Sequence, residues 1–413
     1  MKEKLSKLEI RWILYDVGNS AFILLVATIL PIYFNALSSS AGLAESEYLS
    51  YWSYAASLST LIVAISGPIL GTIADYKNHK KKIFLTSALL GALSLACFWI
   101  PSSWFSFLVL YVVAKVCYSL SLIFYDSMVV DVTTDEKMDS VSSKGYAWGY
   151  LGSCVPFLIS LVFVLLYESI GITQSTAMMI AFILNAAWWI CFTIPLAASY
   201  QQKYYVEKKS HLVHETFGRL KNTFKNARKH KKIFLFLLAF FFYIDGVYTI
   251  IDMATAYGTS LGLDTTGLLL ALLVTQLVAF PASLIFAMLS KTHDSAKMIK
   301  ICIFAYWCIG VFAIQLDKQW EFWLLAIAVG CFQGGIQALS RSYYAKIIPE
   351  NTSGEYFGLF DICGKGASFL GTFLIGFVTQ ITGKQNLGVA AITFMFLIGY
   401  YFFNKVSKLE DEE

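Results

Sequence analysis

Apolar residues fall into twelve long runs, at 12–37, 49–74, 83–101, 104–131, 143–168, 175–199, 233–258, 264–290, 298–316, 319–347, 355–381 and 385–405. About 20 such residues in a helix cross the roughly 30 Å of membrane hydrocarbon. In lipid every backbone amide and carbonyl must be satisfied within the structure, which favours helices. The alternating apolar–polar period of a membrane strand is missing from these runs. They are therefore predicted as twelve membrane-spanning helices, with the longer ones tilted or continued beyond the bilayer.

The longest polar segment, Gln201 to Lys232, divides the spans six and six. Gly149-Tyr-Leu-Gly in the fifth span is echoed by Ser368-Phe-Leu-Gly in the eleventh, and Tyr15-Asp16 in the first by Tyr243-Ile-Asp245 in the seventh. The predicted fold is all-α, with two pseudo-symmetric six-helix bundles at residues 1–200 and 233–413, joined by a basic linker at 201–232. Repeats of this kind place a transporter's site between the halves, near the membrane midplane. In the linker, Val213, Phe217, Leu220, Phe224 and Ala227 recur at helical spacing among lysines and arginines. That suits an amphipathic helix on an anionic leaflet, with a solvated charged linker as the plainer alternative.

Lysine and arginine set the orientation. With the N-terminus inside, the outer loops hold Lys318 and Lys384 alone. The inner segments hold Lys2, Lys4, Lys7, Arg11, Lys77, Lys80 to Lys82, the linker, Lys291, Lys297 and Lys300. This bias predicts a multi-pass protein of the cell membrane with both termini cytoplasmic, in contact with lipid. It also accounts for the formal charge of +4 without a nucleic-acid partner. Met1 to Arg11 is polar and no small-residue cleavage site follows, so no signal peptide is expected.

Ionisable residues inside the spans are costly, and they collect in a few of them. Asp16 and Asn19, at i and i+3, share a face near the inner mouth. Asp126 and Arg341 stand at comparable inner depths of the fourth and tenth spans with opposite sign. Either they pair across the halves when the inner side is closed, or each meets solvent or a lipid phosphate. Lys115, Asp245 and Lys365 lie near the midplane. Asp361 and Lys365, acid first at i and i+4, can neutralise each other on one helix. Asp245 has no partner on its own helix, so it either carries a proton or pairs with Lys115 or Lys365.

A site offering Lys115 and Asp245 suits a zwitterion. Gln337, with Gln276, Gln333 and Asn185, would equally suit a sugar, so a sugar or multidrug facilitator is an open alternative. Composition narrows the other classes. The chain is 57% hydrophobic and only 14% charged, well away from the globular norm. All five histidines (79, 211, 214, 230 and 293) lie in polar segments, and the eight cysteines lie in spans without a ligand-like histidine beside them. Neither a metal site nor a disulfide framework is suggested. With no histidine inside a span to build a nucleophile–base or metal constellation, neither an enzyme nor a cofactor is expected, and with the P-loop pattern missing neither is an ATP-driven step. A monomeric transporter driven by a gradient remains, against a non-transporting receptor or scaffold.

Gly67-Pro-Ile-Leu-Gly71-Thr-Ile-Ala-Asp75-Tyr-Lys-Asn-His-Lys-Lys-Lys82 joins the second and third spans. Gly67 and Gly71 are one turn apart and admit a close neighbouring backbone, while Asp75 can cap a facing helix N-terminus. The segment resembles the signature loop of the major facilitator superfamily at Gly71, Asp75, Lys80 and Lys81, with Tyr76 and Asn78 standing where that pattern has Arg and Gly. The resemblance implies a latch on the cytoplasmic side. Three further stretches are Leu14-Tyr-Asp-Val-Gly-Asn-Ser-Ala-Phe22, Phe242-Tyr-Ile-Asp-Gly-Val-Tyr-Thr-Ile250, and Gly334-Gly-Ile-Gln-Ala-Leu-Ser-Arg-Ser342 with Phe357-Gly-Leu. Together they resemble the vacuole-effluxer-like permeases, relatives of an autophagy-related amino-acid exporter. That implies a twelve-span facilitator and suggests an amino-acid exporter, to which the reading of Asp245 adds proton coupling. Asp126 stands where such proteins often carry Asn.

Overall fold

The computed structural model describes residues 4–43, 45–207, 230–260 and 262–409. Its long helices, in chain order, are α1 Lys7–Ser40, α2 Glu45–Ala74, α3 Lys80–Ala96, α4 Trp104–Ser127, α5 Asp135–Ile170 and α6 Gln174–Ser199. The second set is α7 Lys231–Ser260, α8 Thr265–Leu289, α9 Ser295–Ala313, α10 Gln319–Ile347, α11 Ser353–Thr382 and α12 Gln385–Val406. Among the described residues, eleven are long and apolar enough to cross a membrane. The remaining one, α3, has 17 residues. It rises about 26 Å, and the turn after it completes the crossing.

The helix boundaries follow local chemistry. Ser6 caps α1 by accepting from the Glu9 amide at 3.1 Å, and Glu9 accepts from the Ser6 amide at 2.6 Å. Ser103, Thr173, Asp264 and Asp294 cap other starts with side-chain oxygens. Gly171 and Gly383 close α5 and α11, counterparts in the two halves, at φ 78° and 67°, a left-handed turn that glycine adopts without strain. Leu61, Ile65, Val109, Val162, Leu165 and Phe394 point outward and are exposed, as a lipid-facing surface requires.

The first bundle packs α1 on α5 and α6, α3 on α4 and α6, and α2 on α4. The second packs α7 on α11 and α12, α8 on α10, and α9 on α10 and α12. The repeat is visible in atoms. Tyr15 of α1 donates to Ser121 of α4 at 2.8 Å, and Tyr243 of α7 is hydrogen-bonded to Ser340 of α10 at 2.6 Å. The halves meet along α2–α11 and α5–α8, with α5–α10 and α4–α11 adding to the seam. Where α2 crosses α11, a Cβ on Gly71 would sit 2.8 Å from the Gly354 carbonyl carbon, and one on Gly358 would sit 2.8 Å from Pro68 Cα. These glycines let the two backbones touch.

The linker helix expected around Val213 to Ala227 lies outside the described residues. The segment leading to it is strapped to the first bundle. Asp131 accepts from the Tyr200 hydroxyl and from the Lys203 and Tyr204 amides, the last two at 2.9 and 3.0 Å. The Val206 amide donates to the Asp75 carbonyl at 2.8 Å.

Candidate functional site: a charged seam between the halves

Among the described residues, three buried ionic clusters join the halves, all at the end of the bundle that carries the chain termini. In the first, Asp75 follows α2 and lies against the start of α11, where backbone amides have no helical partner. Its two oxygens accept from the Gly354 and Glu355 amides at 2.8 and 2.9 Å. Lys80 donates to Ser353 at 2.7 Å and stands 3.6 Å from Asp131 and 3.9 Å from Asp75. Burial pushes the Asp75 carboxyl up to about 7, against the downward pull of Lys80 and of the two amides.

The second cluster is built around Arg341 of α10. Its Nη1 donates to Asp126 of α4 at 2.8 Å, and its Nη2 stands 3.5 Å from Asp16 of α1. Ser142 of α5 takes two more bonds from it, at the hydroxyl (2.9 Å) and the carbonyl (3.1 Å). The guanidinium also lies over the rings of Trp12 and Tyr146, 4.7 and 4.5 Å from their centroids. Tyr125 donates to Asp16 at 2.7 Å and Asn19 donates to it at 3.4 Å, so this carboxylate is held from three sides. A planar, permanently charged fork with several donors suits two carboxylates on different helices better than an ammonium would.

Asp139, near the start of α5, makes the third. It accepts from Ser295 of α9 and Ser342 of α10, both at 2.5 Å, and from Lys346 at 2.6 Å. Reading the sequence missed it, because Asp139 falls in a polar stretch that looks like loop. The available signal was Ser342 and Lys346 following Arg341 on one side of α10, which called for an acid facing them.

Nearer the middle, Asp361 and Lys365 of α11 form an i,i+4 ion pair at 2.5 Å. Gln337 donates to the Tyr150 hydroxyl at 3.5 Å across the seam. Lys115 lies 5.7 Å from the Tyr111 ring centroid, and the charge acting on it is Asp252 of α7. Tyr248 of α7 sits within the fields of Asp361, Asp126 and Asp252 at once. The structure corrects the pairing of Lys115 with Asp245. Asp245 is fully buried inside the second bundle, where it accepts from the Gly371 amide at 3.0 Å and from Thr249 at 3.4 Å. Neither Lys115 nor Lys365 reaches it. Asp16 and Asn19 do share a face near the inner mouth, where both belong to the Arg341 cluster.

The family model for vacuole effluxer Atg22-like proteins matches residues 6–410. The chain belongs to the vacuole effluxer Atg22-like family. It is 42% identical over 405 residues to the "Uncharacterized MFS-type transporter YxiO" of Bacillus subtilis (strain 168), covering 97% of this chain and 94% of that one. It is 26% identical to "Autophagy-related protein 22" of Saccharomyces cerevisiae (strain ATCC 204508 / S288c), over 81% of this chain and 73% of the other. Among solved structures it resembles the transporter FucP in its outward conformation, at a TM-score of 0.71 and 14% identity, over 98% of each chain. The fold is therefore that of the major facilitator superfamily of transporters, twelve helices in two bundles, as the signature loop and the three longer stretches implied. A family of this kind is not an enzyme family.

Proposed function

We propose that this member of the Atg22-like family is a secondary transporter of the cell membrane that alternates access by rocking its halves about the seam. The lysine and arginine bias supports termini, and hence the three ionic clusters, on the cytoplasmic side. The observation that carries the reading is Arg341. One buried cation on the second half is held by two carboxylates of the first, an arrangement that exists only while the cytoplasmic side is shut. Asp75, Gly71, Asp126, Asp16 and Arg341 then act as latch and gate, and Asp139 joins them.

The substrate is a zwitterionic amino acid, and its export fits the description of the family as vacuole effluxer Atg22-like. Lys115, on which the charge of Asp252 acts, and the Asp361–Lys365 ion pair offer both signs, and both acids also act on Tyr248. An incoming carboxylate can meet either lysine while the ammonium meets an acid. Gln337 and Tyr150 supply neutral bonds beside them, and Asp245 carries the coupling proton.

Ligand-induced thermal stabilisation of the purified protein, across amino acids, dipeptides, sugars, nucleosides and drugs, tests this. A ligand at a hundred times its dissociation constant adds about 2.7 kcal/mol. A shift with neutral amino acids that disappears in Lys115→Ala supports the site. A shift confined to sugars or drugs discards the zwitterion and keeps the transporter.

A further inference from the structure

Asp245 is buried, yet its Oδ2 has no hydrogen-bond partner among the described residues. It faces away from the seam. Asp245, Thr249 and Met253 lie at i, i+4 and i+8 on one stripe of α7, about 100° round from the Tyr248 and Asp252 stripe. Their side is the interior of the second bundle. From α11 the carboxyl meets the Gly371 amide. From α12 the Phe396 ring packs against Gly246, and Tyr306 of α9 stacks on that ring at 5.7 Å. The nearest charges on α11, Asp361 and Lys365, are spent on each other. On α7 the next charge is Asp252, two turns on, and on α9 and α12 the lysines stand at the helix ends.

The same stripe opens into a cavity of about 390 Å³ in the half of the bundle farther from the termini. Thr249 belongs to both, since its hydroxyl donates to Asp245 and it lines the cavity. Thr372, Thr379 and Thr393 place further hydroxyls along otherwise apolar walls, and the lining reaches Gln380, which is exposed near the far end of α11. At about 30 Å³ per water the space holds a short chain of waters, with hydroxyls to anchor them. A metal cation would need several oxygens in place of its hydration shell, and the carboxyl with Thr249 falls short of that. A proton needs one.

We propose that Asp245 exchanges its proton with the non-cytoplasmic side through this cavity, inside the second bundle and apart from the substrate's path between the halves. The proposal rests on the proton-coupled reading above and adds the route. It also gives the proton a lever, because the carboxyl holds the amide of Gly371 midway along α11, the helix whose start is capped by Asp75.

Dicyclohexylcarbodiimide tests it. The O–H of a protonated carboxyl adds across one N=C bond, the proton passes to nitrogen, and the adduct rearranges to a stable acylurea that peptide mass spectrometry locates. In liposomes of known orientation, with the two aqueous phases set at different pH, labelling of Asp245 should follow the pH of the non-cytoplasmic side, falling about tenfold per unit above its midpoint. Ala254→Trp, which fills the cavity, and Gln380→Trp, at its exposed mouth, should each break that dependence. Their thermal transitions report folding, and the Gln380 site lies outside the core. Labelling that follows the cytoplasmic pH, or is unchanged in both variants, overturns the route, as does no labelling at acid pH in folded protein. If flux depends on pH while Asp245 stays unlabelled, coupling survives on another carboxyl and the route does not. If Asp245 labels as expected and flux is pH-independent, the route stands and the coupling falls.

Discussion

Removing the guanidinium of Arg341 should open the cytoplasmic side. Arg341→Ala deletes the 2.8 Å bond to Asp126, both bonds to Ser142 and the 3.5 Å approach to Asp16. It leaves two carboxylates facing a cavity with no cation. Breaking a buried pair from one side costs about 3 to 5 kcal/mol. Asp126 keeps 19% and Asp16 9% of its side chain exposed, so water screens part of this and about 3 kcal/mol is the larger bound. In the opened state both acids are hydrated and the cost vanishes. The closed-to-open ratio should therefore fall by up to about 150-fold.

Spin labels on Glu136→Cys and Lys297→Cys, exposed at the cytoplasmic ends of the two halves, report that ratio as a distance distribution. The parent should show mainly the short distance and Arg341→Ala mainly a longer one. Adding Asp126→Asn to Arg341→Ala removes one stranded charge and should restore part of the short population. If distances in Arg341→Ala match the parent, or if Asp126→Asn makes no difference in that background, the electrostatic gate is wrong.

The Asp75 latch should be pH-sensitive. Its carboxyl is held at about 7 when latched and returns to about 4 when hydrated, so closing takes up a proton between those values. Lowering the pH from 8 to 6 should raise the closed-to-open ratio about tenfold from this group, read with the same labels, and Asp75→Asn should flatten the response. The α2–α11 crossing predicts an order of costs: Gly71→Ala meets backbone at Gly354, whereas Gly67→Ala meets only the tip of Ile123 at 2.9 Å. Gly71→Ala should lower thermal stability by about 1 to 3 kcal/mol and Gly67→Ala by clearly less. Equal losses would show that the crossing can part freely.

What the chain made legible was depth. Run length gave the helices, and distance along a run gave the height of each charge, so Asp126 and Arg341 could be matched before any packing was known. The capping role of Asp75 was legible for the same reason, since it follows a helix end and needs only another helix end opposite. Azimuth was not legible. On an isolated hydrophobic run, which side faces the seam, the bundle interior or lipid depends on neighbours far away in sequence.

The two echoed motifs show how sharp that limit is. Tyr15 and Tyr243 are equivalent anchors, each bonded to a serine on the fourth helix of its half. Asp16 follows its tyrosine by one residue and Asp245 follows by two. One residue turns a helix by about 100°, enough to send the first acid to Arg341 in the seam and the second to Gly371 inside its own bundle. Matching the motifs by eye treats the acids as counterparts, and depth alone sets Asp245 beside Lys115. Matching them by the tyrosines separates a gate carboxylate from a buried one, and the acid whose charge does act on Lys115 is seven residues further along α7, two turns nearer the opposite face of the membrane.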